Sequence, residues 1–178
     1  MANVFQSIKS DLTRYAKPGF RTFLVNYFYN QGFNYSFWFR LAHSSSRSLN
    51  LFAKVRLKFL IWKTGIDIPP GTKIGYGFYI GHAQSIVVSP LTTIGNNCNI
   101  SQFVSIGSNH GVGATIGNNV YIGPNVCIVE DVKIGNRVTI GAGAVVSRDI
   151  PDDATVAGVP AKVLNFNKPG RYISNIYA

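Results

Sequence analysis

The run Ile116-Gly-Asn-Asn-Val-Tyr-Ile122-Gly-Pro-Asn-Val-Cys-Ile128-Val-Glu-Asp-Val-Lys-Ile134-Gly-Asn-Arg-Val-Thr-Ile140 places an isoleucine at every sixth position. Outward from it the period reaches Val146 on one side. On the other it continues through Ile106, Ile100 and Ile94 to Ile86, Ile80, Ile74 and Ile68. Two steps break it: Ile86 to Ile94 spans eight residues and Ile106 to Ile116 spans ten. Glycine follows many of these positions, at 75, 81, 95, 107, 117, 123, 135 and 141. A helix would repeat apolar residues at three and four, and a hairpin array would place turn signals every eight to twelve. A period of six predicts a parallel β-helix in which each hexad is a short strand plus a corner and three hexads close one coil. Coils stacked at the strand spacing of about 4.8 Å align the inward aliphatics in columns. Ile68, Ile86, Ile106, Ile128 and Val146 are expected on one face. Ile74, Ile94, Ile116 and Ile134 fall on the second, and Ile80, Ile100, Ile122 and Ile140 on the third. The breaks then become corner insertions at 88–93 and 107–115.

The chain has two compositions. It carries 178 residues, 46% of them apolar, and a net charge of +10. Residues 1–64 hold ten Lys or Arg against one acid, Asp11, and 15 of the 23 aromatic residues. The remainder is nearly neutral, with seven basic and six acidic residues. The boundary falls near Gly65. It divides a basic, aromatic helical region (1–64) from the β-helix (65–163) and a polar, aromatic tail (164–178) expected to be partly mobile. Apolar spacing predicts helices over 3–16, 20–30, 35–44 and 49–62. In the last, Leu49, Phe52, Ala53, Leu57, Leu60 and Ile61 are expected to face the core, opposite Arg47, Lys54 and Lys58. Such a helical cap covers the open core and unpaired edge of the first coil.

Several classes are excluded or disfavoured. There is no run of eighteen apolar residues and the first residues lack the pattern of a secretory signal, so a cytoplasmic protein is expected. Cys98 and Cys127 form no disulfide framework or ligand set and are expected as buried free thiols. No GxGxxG or Walker pattern follows a strand, and no nucleic-acid motif accompanies the near-neutral repeat region. The basic, aromatic region reads as a solvated face, as a peripheral contact with the inner face of a membrane, or as an attractor for an anionic acceptor.

Four runs carry a family resemblance: Gly65-Ile-Asp-Ile-Pro-Pro70, Ile80-Gly-His-Ala83 leading into Ile86-Val-Val88, Gly141-Ala-Gly-Ala-Val-Val146, and Ala157-Gly-Val-Pro-Ala-Lys162. In them the chain resembles the left-handed parallel β-helix acyltransferases with hexapeptide repeats. Among those it is most similar to serine acetyltransferases and their relatives in surface-polysaccharide gene clusters. The resemblance implies an acetyl-CoA-dependent O-acetyltransferase, with sites between the subunits of a homotrimer.

Acyl transfer to a hydroxyl needs a general base and donors for the oxyanion. Of the three histidines, His43, His82 and His110, His82 follows Ile80-Gly81 at a coil corner and falls on the family's catalytic position. Asp67 matches the acidic residue that supports that histidine. His110, next to Asn109 on the inserted loop, is the candidate for acceptor binding. By the same resemblance Gly123, Gly141, Ala142, Ser147, Arg148 and Lys162 line the coenzyme groove. The corners after Ile80 and Ile106 lie on different prism edges, so His82 and His110 are expected to meet only across a three-fold interface.

The sequence also departs from serine acetyltransferases. Gly81 stands where many of them have Asp. Their Arg-His-Pro run is replaced by Asn109-His110-Gly111, and their helical Arg-Asp-Pro-Ala segment is absent. These groups would hold the two charges of free serine. Their loss favours a sugar hydroxyl in surface-polysaccharide synthesis, free or nucleotide-linked, over L-serine, which stays open. A non-catalytic repeat scaffold is the reading of a different class. The carbonic anhydrases of this coil fold need three histidine ligands, and the coils offer two, so no metal is expected.

Overall fold

A computed structural model describes residues 3–178. Four helices come first: α1 (Val4–Tyr15), α2 (Phe20–Tyr29), α3 (Gln31–Leu41) and α4 (Arg47–Thr64). Twelve two-residue strands follow at hexad spacing. They are β1 (Lys73–Ile74), β2 (Tyr79–Ile80), β3 (Val87–Val88), β4 (Thr93–Ile94), β5 (Asn99–Ile100) and β6 (Ser105–Ile106), then β7 (Thr115–Ile116), β8 (Tyr121–Ile122), β9 (Cys127–Ile128), β10 (Lys133–Ile134), β11 (Thr139–Ile140) and β12 (Val145–Val146). A hairpin of β13 (Thr155–Ala157) and β14 (Lys162–Asn165) closes the far end. Every third strand pairs in parallel, giving a solenoid with three faces. Face 1 is β1-β4-β7-β10, face 2 is β2-β5-β8-β11-β13-β14, and face 3 is β3-β6-β9-β12.

The register corrects one expected column. Asp67 bridges Val87, and Val88 pairs with Ile106, so Val88 rather than Ile86 continues the column from Ile68. The two-residue insertion therefore lies at 81–86, before face 3, not at 88–93. The ambiguity has a physical cause. Each hexad turns two side chains inward, not one. Ile86 belongs to a second buried column with Val104, Val126 and Ala144, and an aliphatic suits either place. Burying both columns, at roughly 1.5–3 kcal/mol per large aliphatic, makes a continuous core out of strands only two residues long.

The cap forms because the first coil has no preceding coil to bond. Its polar backbone is met by cap side chains instead. The Tyr35 hydroxyl accepts from Ile68 N–H at 3.0 Å and donates to its carbonyl at 3.2 Å. Tyr15 treats Ile80 the same way, at 3.1 and 3.2 Å. Ser10 accepts from Gly77 N–H at 2.9 Å and Asp11 from Phe78 N–H at 2.8 Å. Arg14 donates to the Gly77 carbonyl at 2.8 Å. Arg40 donates to the Ile74 and Gly75 carbonyls while pairing bidentately with buried Asp11, at 2.8 and 3.0 Å. Each bond satisfies a group that is costly to bury alone.

Helices α3 and α4 differ most from expectation. Helix α3 starts four residues earlier, because the Asn30 side chain accepts from Phe33 N–H at 3.1 Å and caps it. Gly32 lies inside α3, not at the end of α2. A Cβ there would stand 2.2 Å from the Ile80 carbonyl oxygen, so glycine lets the helix press onto the coil. On α4 the buried stripe is Ala53, Leu57, Leu60 and Thr64, while Leu49 and Phe52 are exposed. Cys98 is buried, and burial pushes its thiol up to about 12, whereas Cys127 points outward from β9.

The tail is hydrogen-bonded to the body of the protein. It runs back along face 2 towards the first coil and α1. The Asn99 amide donates to the Tyr172 carbonyl, Arg14 Nε donates to Ser174, and Asn97 and Tyr177 exchange a pair of bonds at 2.9 and 3.1 Å. These partners are 73 to 160 residues apart in sequence, beyond the reach of local patterns.

Candidate active site

Of the three prism edges, the one between faces 1 and 2 is closed by a ladder. Asn96, Asn118, Asn136 and Asp152 each accept, through a side-chain oxygen, the backbone N–H of the coil before, at 2.8–2.9 Å. The chemistry-bearing residues lie on the other two edges.

The edge between faces 2 and 3 carries His82. Phe103 N–H donates to the Gln84 carbonyl and Asn125 N–H to that of Gln102. Gln84 and Gln102 are therefore equivalent, and His82 and Ala83 are the inserted pair, lifted out of the stack. His82 has a left-handed backbone, φ 49°, and an exposed ring. Asp67 lies on the coil before. Its bridge to Val87 sets it close to this corner, with the carboxylate exposed. Among the described residues no hydrogen bond joins Asp67 to His82, so the expected pairing is not formed within one chain. Gly123, Gly141 and Ala142 continue the same edge through the later coils. Gly123 N–H donates to Ile140 and Gly141 N–H to Val156. Lys162 ends it, paired with Ala157 beyond Gly141. Gly123 also has a packing reason, since a Cβ there would come within 2.7 Å of the Ile140 carbonyl.

The edge between faces 3 and 1 carries the loop 107–114. His110 Nδ1 meets Glu130 Oε1 at 2.6 Å. The other oxygen of Glu130 accepts the backbone N–H groups of Asn109 and His110, the latter at 2.9 Å. These bonds, the Asn109 amide foremost, hold the Glu130 carboxyl down to about 2. Sequence reasoning missed Glu130. It lies 20 residues from His110, and only the coil register, which stacks Val129 above Gly107, brings them together. The same register sets Ser147 and Arg148 on this edge. A single chain thus separates the candidates: His82, Asp67, Gly123, Gly141, Ala142 and Lys162 on one edge, and Asn109, His110, Ser147 and Arg148 on the other. His43, the third histidine, is held in the cap by the Phe39 carbonyl at 2.9 Å.

The Glu130 anchor has a testable pH range. A carboxyl depressed on folding contributes above its ordinary value, and the contribution is lost as pH falls towards the folded value. The amide resonances of Asn109 and His110 should hold their folded positions at neutral pH and move towards random-coil positions between the ordinary carboxylate range and about 2. In Glu130→Ala they should already have moved at pH 7. Unchanged resonances in that variant would mean that the loop holds itself.

A stacked-hexad solenoid with chemistry on its edges defines the hexapeptide-repeat transferases, and residues 113–148 match the family model described as bacterial transferase hexapeptide (six repeats). A serine acetyltransferase of Helicobacter pylori (strain J99) is 34% identical over 134 residues, covering 71% of this chain and 77% of the relative. The chain therefore belongs to the serine acetyltransferase family of hexapeptide-repeat proteins. It spans 43%, 59% and 64% of the curated serine acetyltransferases from Synechococcus elongatus, Mycobacterium tuberculosis and Buchnera aphidicola. Two solved structures superpose on most of it. The Neisseria gonorrhoeae serine acetyltransferase in complex with serine has a TM-score of 0.73 and 29% identity, covering 91% of this chain and 69% of that one. The Brucella abortus enzyme in complex with coenzyme A has a TM-score of 0.71 and 28% identity, covering 89% and 66%.

Proposed function

We propose that the chain is an acetyl-CoA-dependent O-acetyltransferase that uses L-serine as acceptor. The observation that carries this is His82, displayed alone on a two-residue insertion at the head of an edge whose later coils are open backbone. From the coil of His82 to that of Gly141 is three steps, about 14 Å at the strand spacing. That length suits an extended thioester arm lying along the edge. At its head the imidazole takes the hydroxyl proton as the oxygen attacks the thioester carbonyl, and returns it to the departing thiolate. Asp67, close to the corner, would favour the imidazolium that forms. The relatives captured with serine and with coenzyme A support both substrates.

A sugar hydroxyl is the second reading, favoured by one feature. Asp11, the lone acid of the cap, is buried against Arg40 and so cannot hold an ammonium group. The comparisons favour serine, against the preference drawn from the missing counter-charges.

In this proposal the active unit is a homotrimer in which the His82 edge of one prism meets the His110 edge of the next. Mixing His82→Ala and His110→Ala subunits tests it. Each variant alone should be impaired. Random mixed trimers should regain about a quarter of the sites, since each interface takes one edge from each neighbour. Mixtures no better than the two variants alone would place both histidines in sites made by a single chain.

A further inference from the structure

The outer helices of the cap display an apolar surface that the solenoid does not use. Helix α4 buries Ala53, Leu57, Leu60 and Thr64 on one side. On the opposite side Leu51, Val55, Phe59 and Trp62 form a second apolar stripe, also at helical spacing, with Trp62 88% exposed. Helix α2 buries no residue fully. It turns Phe23 and Tyr27 towards α3, where they meet Phe33 and Phe37 edge to face. Val25, Phe28 and Tyr29 point away, Phe28 at 71% and Tyr29 at 86% exposure. A soluble helix needs one apolar stripe; α4 has two, and their combined exposure marks a contact surface.

The charges around it identify the occupant. Lys17, Arg21, Arg47, Lys54, Arg56, Lys58 and Lys63 all belong to α2, α4 or the turns that precede them. The only acid in residues 3–64, Asp11, is buried and already paired with Arg40. The apolar residues of α4 and α2 are thus interleaved with cations, Arg56 and Lys63 lining the cleft between the two helices beside Tyr27 and Phe28, and no carboxylate of residues 3–64 is free to pair with them. Two copies placed face to face would bring together matching sets of cations with nothing to neutralise them. An anionic lipid surface supplies the neutralising charge and receives the aromatic side chains. Among the described residues no helix is long and apolar enough to cross a membrane, so the contact would be interfacial. We propose that α2 and α4 form a docking face for an anionic membrane surface, with Trp62, Phe59, Val55 and Leu51 entering the headgroup layer and the flanking Lys and Arg pairing with lipid phosphates. The face lies on the side of the cap away from the coils, and the inference does not depend on the acceptor.

The protein carries its own reporter, because Trp62 is exposed whereas Trp38 is only 9% exposed. The full chain is mixed with vesicles of phosphatidylglycerol and phosphatidylcholine, and separately with pure phosphatidylcholine. Co-sedimentation and tryptophan emission are read at low and high salt, and the assembly mass is measured without lipid. Expected is sedimentation with the anionic vesicles, an emission shift to shorter wavelength that Trp62→Phe abolishes, and release by salt. Leu51→Glu/Phe59→Glu, at exposed positions, should weaken binding at least roughly tenfold and leave circular dichroism and assembly mass unchanged. Absence of binding to anionic vesicles overturns the proposal. So does equal, salt-insensitive binding to phosphatidylcholine. A smaller assembly in the double variant would assign the face to a second copy instead, and also overturns it.

Discussion

If L-serine is the acceptor, as proposed, His82→Ala should lower turnover of acetyl-CoA by about 10²–10⁴-fold, the usual contribution of a positioned general base. Donor binding should be unchanged. The expectation follows from the corner geometry. His82 is the imidazole of its edge, and its ring packs into no core. Removing it therefore takes away a proton acceptor without opening a cavity. Thiol release is the readout, with acetyl-CoA binding measured alongside. His43→Ala, in the cap, should keep turnover in whatever fraction stays folded. Activity surviving in His82→Ala would move the base to the other edge, where His110 already has a carboxylate partner. Intact donor binding, no activity with serine even in the wild type, and His82-dependent acetylation of a saccharide would select the sugar reading.

Asp11→Ala should be among the most destabilising substitutions in the cap. The carboxylate is fully buried and faces the Arg40 guanidinium with both oxygens. Burial pushes its carboxyl up, and Arg40 pulls against that. Truncation leaves Arg40 buried without its counter-ion and also frees the Phe78 N–H. Breaking such a pair costs about 3–5 kcal/mol. For a chain of this size that is a fall in Tm of roughly 6–20 °C, read by thermal denaturation. Asp11→Ala/Arg40→Met should recover part of the loss, because no unpaired charge remains. A shift within about 2 °C for the single variant would mean that the pair is dispensable and that Tyr15 and Tyr35 hold the cap alone.

The repeat was legible because period six is visible without knowing what each strand touches. Its phase near Ile86 was not. Ile86 and Val88 both belong inside, and only the Asp67–Val87 bridge reveals which column each joins. His82 was legible from its place after Ile80-Gly81, but not the fact that it occupies the insertion itself. Glu130 and the tail were invisible for a common reason: their partners are set by coil stacking, which brings together residues about 20 apart or, for the tail, the two ends of the stack. Local spacing read α4 as a helix with one apolar side and placed Leu49 and Phe52 on it. Its residues are apolar on two opposed sides, and a one-stripe reading blends them. The six coenzyme-groove candidates came from the resemblance, and the register divides them between two edges.

The returning tail changes how the stack can come apart. A column of repeats that touch only their neighbours can fray coil by coil from either end. Here the segment after the last coil runs back and grips Asn97 and Asn99 on the second coil and Arg14 in the cap. Neither end can peel without tearing the strap from the other, so partial unzipping gains little chain entropy. The one-dimensional array is thereby closed into a ring of interactions, and its loss of structure should be a single cooperative event.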